Sequence, residues 1–422
     1  PIEYNNMYLK KIRYIKKDLY HIIGILCLFF SAFASLYSPL TNAIGLYVAI
    51  PIACLLATKF NKGFHTSIYE KILYTLFLWD CISYFWAEHK ELASTELHMV
   101  LGTFLLVYCL SIYARNFKLI PYLYFIYVLL YLSAWNYAIH NIFTMMVDDS
   151  DRLNDEVLNA NTMAYYTFYV SFLFYILSEI VNIKWLKKIW EWCFWLMLPA
   201  SFGISILTSS RQVPIIQVPL YAMLIYIKYV QGASLKNKLK LGLFALLIAV
   251  VFSGYIISAY NNSFLKERAE INIADDGRAA LARNAIQVGF NNLPLGIGAG
   301  NFQGVSITRQ ISHNSYLEAF VNMGIPGLAL YLALLGMFVH RQWKRYWYYK
   351  DKMFLAFFTF GVLYILDGFF FVFYNSLWLI SFFMLVATHS ETYYKKHNTE
   401  LKKENKEIVK NNFIKQKDAS IQ

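Results

Sequence analysis

Charge is scarce in this 422-residue chain. Charged residues make up 15% of it, against about 25% in ordinary soluble domains, which argues against a soluble enzyme. Lys plus Arg is 38 and Asp plus Glu is 26, but the positive excess sits in short clusters between apolar runs. It does not form the continuous basic face that nucleic-acid binding needs. Disorder is excluded by the aromatic residues, 18% of the chain. Cysteine is also sparse. Cys27, Cys54, Cys81, Cys109 and Cys193 lie in apolar blocks without CxxC spacing, so they read as small hydrophobes and offer neither a disulfide framework nor a zinc site. His89, His98 and His140 share no ligand spacing with His313, and no metal or other cofactor is expected. No internal repeat is visible, which weakens a transporter reading. No cleavable signal peptide is evident, because the basic start (Lys10, Lys11, Arg13, Lys16, Lys17) runs into one apolar span and then into a second.

What is present is apolar length. Hydrophobic residues are 58% of the chain, and at about 20 residues per membrane-spanning helix there is room for roughly a dozen spans. Twelve apolar segments can be drawn, near 20–38, 43–58, 67–86, 97–114, 119–140, 160–182, 190–208, 213–230, 240–260, 315–339, 353–371 and 374–392. Lipid leaves no backbone group unpaired, so continuous runs of this kind are helices, whereas barrel strands would alternate polar and apolar residues. Loop charges orient them. Lys59/Lys62, Arg115/Lys118, Lys184/Lys187/Lys188, Lys228/Lys236/Lys238 and Arg341/Lys344/Arg345/Lys350/Lys352 fall in alternate loops, and Glu88/Glu91/Glu96 and Asp148–Glu156 fall between them. By the positive-inside rule both termini are cytoplasmic. The expectation is therefore an all-α integral membrane protein of about twelve spans. Residues 1–260 carry spans one to nine, 261–314 a large outer loop, 315–392 spans ten to twelve, and 393–422 a basic cytoplasmic tail.

The outer loop is long enough to be functional. Asp276 can cap a helix from about Gly277 to Phe290, Pro294 stops it, and the glycines at 296, 298, 300 and 304 read as a flexible turn. The Gly-Ile-Gly-Ala-Gly run is not a dinucleotide site, since it neither follows a strand nor opens a cytoplasmic helix. Arginines on the outer side run against the charge rule. Arg211 lies in the very short turn Thr208–Pro214, where a charge is costly unless paired, snorkelling to lipid phosphate, or functional. Arg278 opens the loop helix after two aspartates, and Arg283 follows five positions on. For these two, a surface salt bridge and a functional role stand level. His313 precedes the tenth span, with Ser312 as the expected N-cap. The positive helix end favours a neutral imidazole there and also attracts phosphate.

At His313 the sequence acquires a family likeness. Residues 313–327 read His-Asn, nine residues, Gly-Ile-Pro-Gly, which resembles the H-[N/S/Q]-x9-G-x-x-G signature of the O-antigen ligase and polymerase superfamily of bacterial envelope enzymes. His313, Asn314, Gly324 and Gly327 fill it. Three further stretches agree. Ser210-Arg211 resembles the family's Ser-Arg step. Gly277-Arg278 followed by Asn292–Phe302 resembles its "G-R … P-L-G-x-G-x-x-N-F" loop. Asn159–Ala164, with Asn161, resembles its "N-x-x-A" entry to the sixth span. One departure is Ala279–Ala282, where many relatives carry an aromatic.

The resemblance implies a GT-C-like membrane fold, an inner-membrane location and glycan transfer at the periplasmic face. The donor would be a glycan on undecaprenyl diphosphate, and the acceptor a sugar hydroxyl on lipid A core. A polymerase or a protein O-oligosaccharyltransferase using the same donor is the alternative, and a lipid-linked glycan transporter a more distant one. On this reading Arg211 and Arg278 clamp the diphosphate in place of a metal, and His313 is the general base. Asn314, Arg283, Glu318, Asn161, Gly324 and Gly327 contribute to substrate binding. Trp86, Trp135, Tyr137 and Tyr316 are candidates either for stacking on sugars or for the interfacial aromatic belt.

Overall fold

The computed structural model describes residues 19–34, 39–60, 66–144, 160–208, 210, 212–239, 242–243 and 277–419. All regular structure among them is helical. In chain order α1 is Leu19–Ala34. Helix α2 is Pro39–Ile44, joined through a π-helical turn, Gly45–Ala49, to α3, Ile50–Phe60. Then come α4 (Ile68–Ser83), α5 (Lys90–Ala114), α6 (Ile120–Thr144), α7 (Ala160–Ile180), α8 (Lys184–Thr208) and α9 (Gln212–Ile225). The last five are α10 (Gly277–Asn291), α11 (Phe302–Val305), α12 (Ser315–Tyr349), α13 (Lys352–Asp367) and α14 (Leu377–Ala419).

Five stretches are long and apolar enough to cross a membrane: Leu40–Lys59, Lys90–Ala114, Met163–Ile180, Gln212–Val230 and Ser315–Tyr349. This is the pattern of a membrane protein. Apart from 242–243, the apolar segment near 240–260 and the first part of the outer loop, through Asp276, lie outside the described residues. Several helices overrun the apolar runs that marked them in the sequence. Lys184, Lys187 and Lys188, read as loop charges, occupy the first turns of α8, and Arg341, Lys344 and Arg345 lie on the last turns of α12. Backbone hydrogen bonding continues past the apolar boundary, because Lys and Arg are good helix formers. The basic tail does the same, since α14 runs 43 residues. That is roughly 65 Å at 1.5 Å per residue, more than a bilayer spans.

In lipid, helices associate through close packing and interhelical hydrogen bonds rather than through exclusion of water. The described core shows both. Phe360 of α13 stacks on Phe168 and Phe172 of α7, with ring centroids 5.4 and 4.6 Å apart. The Tyr124 hydroxyl lies 2.9 Å from His389 Nδ1, and Tyr127 and Ser381 are joined at 2.7 Å, tying α6 to α14. Trp135 is only 7% exposed and donates from Nε1 to the carbonyl of Met163 at 3.1 Å. It is an interior strut, and so serves neither as a belt residue nor as a sugar platform. Glu391 of α14 holds Arg345 at 2.8 Å and Arg341 at 3.4 Å, so the basic end of α12 is locked to its neighbour. The described cysteines are all unpaired thiols.

Candidate functional site

The site is built around a break in α12. Gly324 has φ 65° and ψ −158°, a region that essentially only glycine enters. Helical hydrogen bonding is interrupted there, and each freed group must find another partner. The partners come from the glycine-rich stretch after α10. Ile297 N donates to the Val321 carbonyl and Gly298 N to the Asn322 carbonyl, both at 2.9 Å, and Ile325 N donates to the Pro294 carbonyl at 3.0 Å. Trp79 Nε1 of α4 donates to the Met323 carbonyl at 2.9 Å. The next residue, Pro326, has no N–H to satisfy.

The glycines of this stretch therefore do not form a flexible turn. A Cβ on Gly324 would stand 2.1 Å from the Pro294 oxygen, and one on Gly296 would stand 2.5 Å from Gly324 N. A Cβ on Gly298 would meet the Ala87 backbone at 2.5 Å. Close backbone approach, not mobility, is what these positions require. Gly327 is packed too, since a Cβ there would lie 2.2 Å from that of Met323. Gly324 and Gly327, expected as substrate-binding residues, are buried, and they shape the scaffold beneath the site.

The first part of α12 carries His313 at its mouth. The N-cap is Asn314, not the expected Ser312. The Asn314 Oδ1 accepts from Tyr316 N at 3.0 Å and from Leu317 N at 3.1 Å, which satisfies two of the orphan donors of the helix start. Its Nδ2 donates to the Phe369 carbonyl at 3.5 Å. Asn314 thus has an architectural job, with its amide oxygen committed to the cap. Ser312 instead braces the turn, accepting from Asn314 N at 3.3 Å and donating to the Asn314 carbonyl at 3.0 Å. On the far side Ser315 N donates to the Gly368 carbonyl at 2.8 Å.

Between these anchors His313 has φ 53°, a left-handed conformation uncommon for residues with a Cβ. Glu318 holds it there through its neighbour. The buried Glu318 carboxylate accepts from Ser312 N at 2.7 Å with one oxygen and from Asn322 Nδ2 at 3.1 Å with the other. Asn322 Oδ1 in turn accepts from Phe302 N at 2.9 Å. Asn301, at the head of α11, accepts from His89 N at 2.7 Å. One polar chain therefore runs from the His313 turn through α12 to the loop and on to the start of α5. Asn322 escaped notice in the sequence. Its signal was there: a second polar residue four positions after Glu318, on the same face of an otherwise apolar helix.

Arg278 and Arg283 stand on α10, whose Leu281 and Ala285 pack with Val321 of α12 and Phe302 of α11. Within the 279–282 stretch, Leu281 fills this small core. Arg278 acts electrostatically on His313. Burial lowers the imidazole pKa first and the guanidinium charge second, to about 4, so at neutral pH the ring is uncharged. Arg211 and Asp276 lie outside the described residues. Asn161 belongs to the first turn of α7, and its side chain, like that of Tyr137, also lies outside them. Tyr316 donates its hydroxyl to the Ile365 carbonyl at 2.6 Å and is half-buried.

Residues 192–332 match a family model described as O-antigen ligase. This stretch is similar to the O-antigen ligase family. The matched stretch, about a third of the chain, runs from the middle of α8 through the break in α12. It contains Arg211, Arg278, Arg283, His313, Asn314, Glu318, Gly324 and Gly327, while Asn161 precedes it. No curated protein matches the chain. The match supports glycan transfer of the O-antigen ligase type at the level of the family, in which a lipid-linked glycan is the donor and a glycan the acceptor in general terms.

Proposed function

We propose that the protein transfers a glycan from undecaprenyl diphosphate to a sugar hydroxyl on lipid A core. The reaction would take place at the periplasmic face of a bacterial inner membrane, in a twelve-span protein with both termini cytoplasmic. The observation that carries this reading is the pairing of a neutral, half-buried His313 with the Arg278 charge on a rigid stretch similar to the O-antigen ligase family.

The chemistry follows from the charges. The anomeric carbon is attacked by the acceptor oxygen, the bond to the diphosphate oxygen breaks, and the hydroxyl proton passes to His313. Arg278, with Arg211 from the short turn before α9, neutralises the departing diphosphate, and the planar guanidinium suits two phosphate oxygens at once. A base with a pKa of about 4 is weak at neutral pH. The bound diphosphate offsets the Arg278 charge and raises that pKa, so the base strengthens when the donor arrives. Attack opposite the leaving group inverts the anomeric centre, and the two arginines make a divalent metal unnecessary. Glu318 and Asn322 act through the backbone of the His313 turn and are positioning residues.

The test is transfer by purified protein in chelator, using undecaprenyl-diphosphate glycan with and without lipid A core. Glycan on lipid A core is the expected product. Lengthening of the lipid-linked glycan without that acceptor would replace the ligase reading with a polymerase. A product of retained configuration would exclude single displacement.

A further inference from the structure

A second feature of this face is a cleft of about 350 Å³. It lies between the α4–α5 turn and the loop after α10, and is lined among others by Trp86, Glu88, Val288, Asn292, Asn301 and Val305. It is not the His313 centre. Val288 and Asn292 stand ten and fourteen residues beyond Arg278 on or just past α10, roughly 15–20 Å away along the helix axis at 1.5 Å per residue.

Its walls are held by fixed contacts. The indole of Trp86 lies 5.7 Å from that of Trp79, and Trp79 is anchored on the broken turn of α12. The Trp86–Glu88 turn is tied to the loop by His89 N donating to Asn301 Oδ1 and by the seating of Gly298 on Ala87. The floor is the glycine stretch locked to α12. A preformed cleft costs little ordering on binding.

The chemistry of the lining selects a ligand class. An indole offers a rigid amphipathic face. A solvent-exposed carboxylate, Glu88, and the side-chain amide of the exposed Asn292 offer acceptors and donors for hydroxyl groups. Val288 and Val305 supply apolar contact. Among the described residues no Lys or Arg lines it, and the Glu88 charge repels phosphate, so this lining suits a sugar rather than the diphosphate.

We propose that this cleft is a saccharide subsite. It binds an uncharged or amino-bearing sugar of the glycan substrate, several units away from the bond that reacts at His313. The assignment rests on the glycan-transfer reading and adds a place where the glycan's length is read.

The test uses the full chain in lipid nanodiscs. The probe is the oligosaccharide released by mild acid from the source organism's lipid-linked glycans, which carries no diphosphate. Binding is followed by saturation-transfer NMR and by tryptophan fluorescence. The expected result is binding to the wild type and to His313→Ala. Trp86→Ala should weaken it at least ten-fold and Trp86→Phe less. Glu88→Lys is an exposed change that leaves the packing intact, and it should weaken binding without altering the melting temperature. Equal binding by wild type and Glu88→Lys, or no binding by wild type, overturns the subsite. Because the readout is binding, saccharide held at Trp86 by a protein that transfers nothing would uphold the subsite and sink the transfer reading. Transfer with a KM for long glycans unchanged by Glu88→Lys would do the reverse.

Discussion

Glu318 accepts the backbone N–H of Ser312 at 2.7 Å, one residue before His313. This bond crosses from the body of α12 back to the turn ahead of it, and it keeps a non-glycine residue in the left-handed region. Replacing the carboxylate with methyl leaves a buried amide hydrogen unpaired, at a cost of about 1–3 kcal/mol. Glu318→Ala is expected to lower the transfer rate at least ten-fold with a smaller change in donor KM. Glu318→Gln keeps an oxygen in place and should recover part of the rate. A rate for Glu318→Ala equal to wild type would remove Glu318 from the positioning of His313.

His313→Ala should reduce transfer by about 10²–10⁴-fold, the range of a general base, and Arg278→Ala should be comparably damaging. Arg278→Lys retains the charge but not the planar fork, and it should remain poor. Membrane insertion should be unaffected in all three, as read by detergent extraction and elution volume. Near-normal transfer by either Arg278 variant would count against the diphosphate clamp.

The His313 imidazole should titrate near 4 in the resting protein. Removing the Arg278 charge removes one cause of the depression, so the midpoint should rise in Arg278→Ala. The resonance lost in His313→Ala identifies the group in an NMR titration. Because the folded pKa lies below the unfolded one, the unfolded chain takes up this proton first. His313 therefore costs stability as pH falls from about 6.5 toward 4. In kinetics, the acid limb of kcat/KM should lie below that of kcat, since only the latter reports the donor-bound base. A wild-type midpoint near 6.5 would contradict the buried, arginine-flanked setting.

Gly324→Ala should destabilise the protein by several kcal/mol. It places a Cβ 2.1 Å from the Pro294 oxygen in a backbone region costly for any residue with a side chain. Gly336→Ala, on the same helix with nothing within 4 Å of the added methyl, should be neutral. Equal melting temperatures for the two variants would mean that the interlock with the glycine stretch does not hold α12 in its broken form.

Asn314→Ala should cost about 1 kcal/mol through loss of the cap, and Asn314→Asp or Asn314→Ser should restore most of it. If activity follows the same order as stability, Asn314 serves the helix start. An Asn314→Ser variant with full stability and no transfer would instead give its amide a direct part in binding substrate.

Much of this protein is determined locally and so could be read along the chain. Apolar runs specify helices because lipid forbids unpaired backbone, and the order Gly-Arg, Pro-Leu-Gly, His-Asn, Gly-x-x-Gly carries the likeness to the O-antigen ligase family without any coordinates. Helix ends were less legible. Hydrogen bonding carries α12 and α14 past the apolar boundary through lysines and arginines that tolerate helix, so the charges that mark loops also lie on helices. Only the tertiary structure decided that Asn314 rather than Ser312 caps α12. It also decided that Trp135 faces inward and that the glycines from 296 to 300 are locked rather than loose. The reason is common to all three. A serine and an asparagine both cap, a tryptophan suits either an interface or a core, and a glycine permits either motion or contact. The cap is chosen by the backbone geometry of the turn, and the other two by partners far away in sequence, Met163 for Trp135 and Pro294 against Gly324.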